Sequence, residues 1–283
     1  MTDSIDKPST SAISPESIAT SSKDLFNDAA DEATAKRLAD EWLSVEKAFD
    51  KANILHTIVF FGSARIEDKH KAELIQEKVK LLSQSQTNLS KSELLKQAKA
   101  SAELTLKQSR YYEDARQLAR LIGEHLYDCE NQTTKLVTGG GPGIMEAANR
   151  GVAEIGQSSI GLNIIIPREQ IPNRYISEEF SFNFRYFSMR KMHFLKRAKV
   201  IIVFPGGFGT LDELMEVLTL IQTQKIPPIP IILYGSKYWQ KVINFRFLAE
   251  QEYIDWEDLN LYQIVDSVKE AFRLAVHCIE CIN

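Results

Sequence analysis

The amino-acid sequence predicts an α/β protein in which a doubly wound parallel sheet is covered by helices on both faces. Two observations favour this class. Short β-branched or aromatic runs alternate with longer amphipathic stretches from residue 135 onward, and this alternation is typical of parallel strands joined by helical crossovers. Glycine-rich turns also follow two of the hydrophobic runs and lead directly into helices, as at the ligand-binding edge of such sheets.

Composition limits the remaining possibilities. The chain has 283 residues, of which 44% are hydrophobic, so it is long enough to bury a sizeable core. Its formal charge of -4 gives no global attraction to nucleic acid, and no stretch is apolar enough to cross a membrane. The first thirty residues hold seven Ser, three Thr and five acids, without Arg. We therefore expect a cytoplasmic protein with a disordered tail at 1–30 and a single domain over 31–283.

The N-terminal part of the domain predicts one strand between helices. Four apolar side chains fall on one face of residues 31–50, which indicates an amphipathic helix. They are Leu38, Trp42, Val45 and Phe49. A β-branched and aromatic run at 54–61 predicts the first strand, buried on both faces. Residues 67–130 contain no Pro and one Gly and are rich in helix formers, so we expect two or three helices there, with an insertion near 83–108.

Strands and helices then alternate to the end of the chain. The predicted strands are 135–138, 159–166, 200–204 and 229–234, with short extended pieces at 180–184 and 264–265. The predicted helices are 143–155, 188–198, 210–224, 237–250 and 268–279. Met189, Met192 and Leu195 recur every three residues and predict a stripe that faces the core. The carboxyl ends of the strands should share one edge, where ligands of such sheets bind.

Seven of the thirteen glycines lie in two short turns. The first is Thr-Gly-Gly-Gly-Pro-Gly-Ile-Met-Glu at 138–146, and the second is Pro-Gly-Gly-Phe-Gly-Thr-Leu-Asp-Glu at 205–213. Glycine lets a ligand approach the backbone closely, and the free amides at a helix start bind anions. We expect the two turns to lie on neighbouring strand ends and to bind one phosphate. The alternative is that their glycines serve only tight turns.

The same turns disfavour the commonest nucleotide motifs. Thr210 follows the last glycine of the second turn, where a P-loop needs Lys. Glu146 stands where a dinucleotide fingerprint needs its third glycine, and Asn163 stands where an acid is expected, so NAD is a weak alternative. The C-x-x-C of Cys278 and Cys281 lacks the second pair that a zinc site requires. We therefore expect neither a cofactor nor a metal.

Charged side chains near the turns are candidates for chemistry. Arg190 belongs to a basic stretch at 168–199, and its guanidinium suits bidentate phosphate recognition. A solvated basic face or a subunit contact is the alternative, which we favour for Lys196 and Arg197. Glu213 lies in the first turn of a helix, where carboxylates are common because they suit the dipole. A carboxylate there could also stabilise an oxocarbenium-like transition state or activate water.

Four segments carry a resemblance to a known family. They are Gly-Gly-Gly-Pro-Gly-Ile-Met-Glu-Ala-Ala-Asn at 139–149, Met-Arg-Lys at 189–191, Pro-Gly-Gly-x-Gly-Thr-x-x-Glu at 205–213 and Phe-Gly-Ser-Ala-Arg at 61–65. Together they resemble the Lonely Guy family of cytokinin-activating phosphoribohydrolases, long mislabelled as lysine decarboxylases. The similarity covers roughly residues 54–250. A pyridoxal phosphate decarboxylase needs a Schiff-base lysine, which neither glycine turn supplies.

The resemblance implies a Rossmann-like fold, a homodimer or larger assembly, and hydrolysis of a nucleoside 5′-monophosphate, such as AMP or a cytokinin riboside monophosphate, to free base. It implies that Arg190 and Glu213 are the catalytic pair. The implied substrate-binding residues are Gly140, Gly141, Gly143, Met189, Lys191, Gly206, Gly207, Gly209 and Thr210. Two alternatives remain: a non-catalytic nucleotide or cofactor carrier of the molybdenum cofactor carrier type, and a nucleic-acid-binding protein, which the acidic balance disfavours.

Overall fold

The computed structural model describes residues 32–84, 92–166 and 171–280. These residues form one seven-stranded sheet in which every neighbouring pair of strands is parallel. The strands are β1 (His56–Phe61), β2 (Thr134–Thr138), β3 (Ile160–Ile164), β4 (Ser181–Phe184), β5 (Ala198–Val203), β6 (Ile231–Tyr234) and β7 (Tyr262–Val265). The predicted tail at 1–30 and the predicted C-x-x-C side chains lie outside the described residues.

The strand order is β4-β3-β2-β1-β5-β6-β7. The chain builds outward from β1 in one direction through β4, and then returns to the other side of β1 with β5. This reversal makes a topological switch point between β1 and β5, the feature that defines a doubly wound, Rossmann-like sheet. The predicted fold class is therefore confirmed.

Nine α-helices and two short 3₁₀ helices accompany the sheet within the described ranges. The α-helices are α1 (Glu32–Lys51), α2 (Lys69–Gln84), α3 (Ser92–Asp128), α4 (Ile144–Ala153), α5 (Phe187–Lys196), α6 (Phe208–Gln222), α7 (Ser236–Val242), α8 (Phe245–Glu250) and α9 (Val268–Glu280). The 3₁₀ helices are Glu178–Phe180 and Trp256–Asn260. None of the described helices is both long and apolar enough to cross a membrane.

Two separate cores hold the helices on opposite faces of the sheet. Successive side chains of β1 alternate between them, because a strand has a period of two. Ile58 and Phe60 pack with α3, α4 and α9 on one face. Val59 and Phe61 pack with α1, α5 and α6 on the other face. Because β1 is buried on both faces of the sheet, side chains on both sides of the strand are apolar, which accounts for its uninterrupted hydrophobic run.

The long helix predicted at 237–250 is two helices in the structure. Ile243 takes an extended conformation, with φ -134° and ψ 122°, and this ends α7. The side chain of Asn244 then accepts a hydrogen bond from the amide of Phe247 and begins α8. Asn is a favoured N-cap because its side-chain oxygen satisfies an amide that has no helical partner. The prediction of one continuous helix was wrong because it overlooked this capping signal.

The N-terminal helix α1 lies against α5. Val45 and Phe49 are buried in the core, as their helical spacing predicted. The carboxylate of Glu46 accepts hydrogen bonds from Lys196 at 2.5 Å and from Arg197 at 2.7 Å. The expectation that Lys196 and Arg197 form a solvated face or a subunit contact was therefore wrong, because both side chains bind Glu46 in α1 of the same chain.

Candidate active site

Three loops meet at the carboxyl edge of the sheet. The first glycine turn follows β2, and the second follows β5. Both strands pair with β1 and not with each other, so the expectation that the two turns lie on neighbouring strands was wrong. The loop that follows β1, residues 62–65, occupies the position between them.

Main-chain hydrogen bonds join these three loops. The amide of Ser63 donates to the carbonyl of Pro205 at 3.1 Å, and the carbonyl of Ser63 accepts from the amide of Ile144 at 3.0 Å. Gly143 has φ 71°, and a Cβ there would lie 2.2 Å from the Ser63 carbonyl oxygen. This position therefore needs glycine for its backbone conformation and for the close approach of the first glycine turn to the loop after β1.

The first glycine turn is braced by the protein's own groups. The amide of Gly140 donates to the Thr138 hydroxyl at 3.0 Å. The side-chain amide of Asn173 donates to the carbonyls of Gly140 and Gly141, at 3.1 Å each. Gly140, Gly141 and Gly143 are absent from the lining of the cavity described below. Their part in substrate binding stays a prediction, whereas their part in shaping the turn is visible.

Gly139 brings the first turn to the charged centre of the site. A Cβ on Gly139 would lie 3.6 Å from Nη1 of Arg190 and 2.8 Å from the sulfur of Met145. Met145 in turn lines the cavity. The absence of a side chain at 139 therefore leaves room for the Arg190 guanidinium and for Met145.

The second glycine turn presents an open helix N-terminus. No side chain caps α6, which begins after Gly207. Within the described chain, the amides of Phe208, Gly209 and Thr210 have no intramolecular acceptor. A Cβ on Gly207 or Gly209 would meet nothing within 4 Å. Such free amides, together with the positive end of the helix dipole, form an anion-binding site.

Gly206 supports this helix start without lining the cavity. A Cβ at Gly206 would lie 2.1 Å from the hydroxyl oxygen of Thr210, so glycine allows the Thr210 side chain to fold back here. The carbonyl of Gly206 accepts a hydrogen bond from the hydroxyl of Tyr238. Tyr238 was not anticipated from the sequence because it lies on α7, whose contact with this turn depends on the pairing of distant strands.

Arg190 and Glu213 form a buried ion pair beside this helix. Nη2 of Arg190 lies 3.1 Å from Oε1 of Glu213, and the side chains are 9% and 12% exposed. Rings of Phe187 and Phe194 lie 5.2 and 5.5 Å from the guanidinium carbon, within cation–π range. The buried Nε of Arg190 has no hydrogen-bond partner among the described residues. The pair therefore leaves one buried guanidinium donor unsatisfied among the described residues.

Burial governs the electrostatics of this pair. It raises the pKa of Glu213 to about 7, although the Arg190 charge acts in the opposite direction. Burial also lowers the pKa of Arg190, against the attraction of Glu213. A carboxyl group whose pKa lies near neutrality is suited to proton transfer.

Lys191 and Met189 flank Arg190 in sequence but do not line the cavity. Nζ of Lys191 pairs with Asp212 at 3.1 Å and with Glu216 at 2.9 Å. Lys191 thus ties α5 to α6, and Met189 packs at the edge of the core. Their predicted contact with substrate stays a prediction.

A cavity of about 560 Å³ joins these groups. Of the predicted site residues, it is lined by Arg190, Gly207, Gly209, Thr210 and Glu213. Its other lining residues are Gly62, Ser63, Ala64, Arg65, Met145, Ile164, Ile166, Phe187, Phe208 and Leu211. Among the described residues, no cluster of three or more His, Cys, Asp or Glu side chains is arranged to hold a metal. The site combines an open anion-binding helix, a buried ion pair and an apolar wall.

Part of this chain is similar in sequence to known proteins. The family model described as "Possible lysine decarboxylase" matches residues 145–275. The chain is 33% identical over 121 residues to the cytokinin riboside 5′-monophosphate phosphoribohydrolase LOG3 of Arabidopsis thaliana, covering 41% of this chain and 54% of the relative. It is 27% identical over 153 residues to the probable phosphoribohydrolase of the same kind, LOG4, of Oryza sativa subsp. japonica, covering 53% and 64%. The matches thus span between about half and two thirds of the relatives' lengths.

Solved structures that match this chain in a structural comparison have low sequence identity to it. The Moco carrier protein from Chlamydomonas reinhardtii is 15% identical, with a TM-score of 0.44 over 80% of this chain and 98% of the other. The sequence relationship is more informative, because the matched segment contains the Arg190–Glu213 pair and the open helix start. Over the matched segments the chain is similar to the Lonely Guy phosphoribohydrolases, as its glycine turns and its Met-Arg-Lys segment predicted.

Proposed function

We propose that the chain is a nucleoside 5′-monophosphate phosphoribohydrolase that hydrolyses the N-glycosidic bond to give free base and ribose 5-phosphate. AMP and cytokinin riboside monophosphates are the proposed substrates. The observation that carries this proposal is the buried Arg190–Glu213 pair, which shares a cavity with the uncapped N-terminus of α6. The curated relatives named for this activity support it.

The phosphate of the substrate is proposed to bind at the start of α6. The free amides at 208–210 and the hydroxyl of Thr210 supply donors, and Gly207 and Gly209 let the phosphate approach the main chain. The ribose then extends from this anchor toward Glu213, which lies one helical turn further along α6. Anchoring the phosphate away from the reacting bond provides binding energy for orientation.

Glu213 is proposed to act at the ribose. Cleavage of an N-glycosidic bond builds positive charge on the anomeric carbon, and a carboxylate stabilises that charge or takes a proton from the attacking water. Arg190 holds the carboxylate at 3.1 Å and orients it. Arg190 also lines the cavity, and its guanidinium is proposed to contact a substrate oxygen. None of these steps requires a cofactor.

The test is base release from a panel of nucleotides. Incubation with AMP and with isopentenyladenosine monophosphate, followed by chromatography, should show free base from the unmodified protein. Glu213→Gln, which keeps the shape and removes the charge, should lower kcat by about 10²- to 10⁴-fold, the contribution typical of an acid–base residue. Glu250→Gln, an exposed carboxylate on α8, is the matched control and should retain activity.

Two outcomes would contradict the proposal. Unchanged activity in Glu213→Gln would remove that residue from the mechanism. Binding of AMP by the unmodified protein without release of base from any monophosphate would favour the carrier alternative.

A further inference from the structure

We propose that Arg65 is the cation that binds the substrate phosphate and selects phosphorylated nucleosides over unphosphorylated ones. This inference rests on the proposed function, since it concerns the same cavity. In the sequence, Arg65 is the last residue of the Phe-Gly-Ser-Ala-Arg segment at 61–65, and no motif assigns it a role.

Three of the described residues that line the cavity are charged or titratable: Arg65, Arg190 and Glu213. The guanidinium of Arg190 is paired with the carboxyl group of Glu213 at 3.1 Å. A phosphate monoester carries between about one and a half and two negative charges at neutral pH, whereas a helix N-terminus contributes about half a positive charge. The phosphate therefore needs a further cation, and Arg65 is the lining cation that has no such partner.

The side chain of Arg65 is available for this task. It is exposed, and no hydrogen bond or ion pair joins it to another part of the described chain. Lys191, the other nearby cation, is already paired with Asp212 and Glu216 and does not line the cavity. An arginine also suits the geometry of a phosphate, because its planar guanidinium donates two parallel hydrogen bonds.

The backbone that carries Arg65 is held in place on both sides. Its amide donates to the hydroxyl of Ser63 at 3.1 Å, and the amide of Ser63 donates to the carbonyl of Pro205 at the second glycine turn. On the other side, Ile66 is buried in the core with 6% exposure. A fixed main chain with a free guanidinium at the cavity gives a preorganised phosphate ligand.

The inference is tested by binding, which does not require turnover. Calorimetry with ribose 5-phosphate and with ribose separates the contribution of the phosphate from that of the sugar. Arg65→Ala should weaken ribose 5-phosphate binding by about ten- to a hundred-fold, the range expected for loss of a charge-assisted hydrogen bond, and should leave ribose binding unchanged. Arg65→Lys should recover part of the loss. Arg246→Ala, which removes an exposed arginine on α8, should bind like the unmodified protein.

Steady-state kinetics distinguish this inference from the proposed function. If base is released, Arg65→Ala should raise KM for AMP by a similar factor while kcat changes little, and hydrolysis of adenosine should be unaffected. Equal affinity of Arg65→Ala and the unmodified protein for ribose 5-phosphate would overturn the inference even if base is released. Arg65-dependent binding without any base release would overturn the proposed function and leave the role of Arg65 standing.

Discussion

At the scale of single residues, Glu213 is under two opposing influences. Burial favours its neutral form, and the Arg190 charge favours its ionised form. Burial prevails, so the pKa of Glu213 lies at about 7 in the folded protein, against an ordinary value of 4.5. Between these two values the folded state holds a proton that the unfolded state has lost. This contribution to the free energy of unfolding is therefore fully present below about pH 4.5 and is lost as the pH rises toward 7.

This sign gives a prediction that is independent of catalysis. Glu213→Gln cannot titrate, so its free energy of unfolding lacks this decline with pH. We expect the stability of the unmodified protein relative to Glu213→Gln to fall as the pH rises from 5 to 8, measured by urea denaturation at each pH. Glu250→Gln, an exposed position, should show no such trend relative to the unmodified protein. A constant difference for Glu213→Gln would contradict the raised pKa.

The site residues show where sequence reasoning succeeded and where it stopped. The structure brings Arg190, Glu213 and Thr210 to one cavity, as the motifs predicted. It also shows that the carbonyls of Gly140 and Gly141 accept hydrogen bonds from Asn173, a contact that the motifs did not indicate. Whether a glycine carbonyl or amide faces a ligand or the protein itself depends on residues about thirty positions away, and no local pattern contains that information.

At the scale of elements, the junction between the first glycine turn and the loop after β1 can be tested with a pair of glycines. Gly143 and Gly156 have nearly the same φ, 71° and 72°. A Cβ on Gly143 would lie 2.2 Å from the Ser63 carbonyl oxygen, whereas a Cβ on Gly156 would meet nothing within 4 Å. The two positions thus share a positive φ, whereas Gly143 also has a ψ of -131°, outside the left-handed helical region, and a close contact with Ser63.

We expect Gly156→Ala to lower the free energy of unfolding by about 1 kcal/mol, the cost of a left-handed non-glycine residue. Gly143→Ala should cost at least about 2 kcal/mol more, because the main chain at Ser63 must move. Chemical denaturation of both variants measures the difference. Equal costs would show that the two loops can separate without penalty.

The contact between α1 and α5 provides a second test at this scale. Burial raises the pKa of Glu46, but hydrogen bonds from Arg197 and Lys196 outweigh it and hold the pKa below its usual value. Removal of this carboxylate leaves the guanidinium of Arg197, 13% exposed, without its main partner. We expect Glu46→Ala to lower the free energy of unfolding by about 3 kcal/mol, as for loss of one partner of a buried pair. Lys47→Ala, on the exposed side of α1, is the control, and an equal effect of both variants would contradict this role of Glu46.

Helix α5 shows why periodicity alone misplaced a side chain. Spacing of three placed Met192 on the core stripe, yet Met192 is 50% exposed and Arg190, His193 and Phe194 are buried. The ring of His193 instead packs against the ring of Trp42 of α1, with centroids 4.4 Å apart and planes tilted by 32°. Because arginine and histidine are polar, a hydrophobic pattern predicts that the helix face carrying Arg190 and His193 is exposed to solvent. Hydrophobic periodicity therefore did not identify the buried face of α5 that carries Arg190, His193 and Phe194.

At the scale of the whole molecule, the alternation of strands and helices was sufficient to predict the fold class. It was insufficient for the strand order, because pairing of distant strands leaves no local signature. As a result the two glycine turns were expected side by side, whereas β1 separates them. The loop after β1 thereby became part of the site, and with it Arg65.

We also propose that the molecule forms a homodimer or a larger homo-oligomer. Two exposed apolar side chains support this: Phe208, which lines the cavity, is 92% exposed, and Ile165 is 61% exposed. Association would bury such apolar surface. Light scattering coupled to size-exclusion chromatography should give at least twice the chain mass of 32.1 kDa. Phe208→Ser should shift the protein toward the monomer, while Phe247→Ser, which alters an exposed ring on α8, should not. A monomeric unmodified protein would contradict the proposal.

The hydrogen bonds through Ser63 have a consequence for how such a site can diversify. Because peptide groups, rather than side chains, join the three loops, this main-chain frame does not depend on the side chains that line the cavity. Substitutions at Met145, Ile166 or Phe187 should therefore change the apolar wall of the cavity while the open start of α6 keeps its shape. Under the proposed function, selection of the base would then be separable from retention of the phosphate, and a new specificity would need no new scaffold.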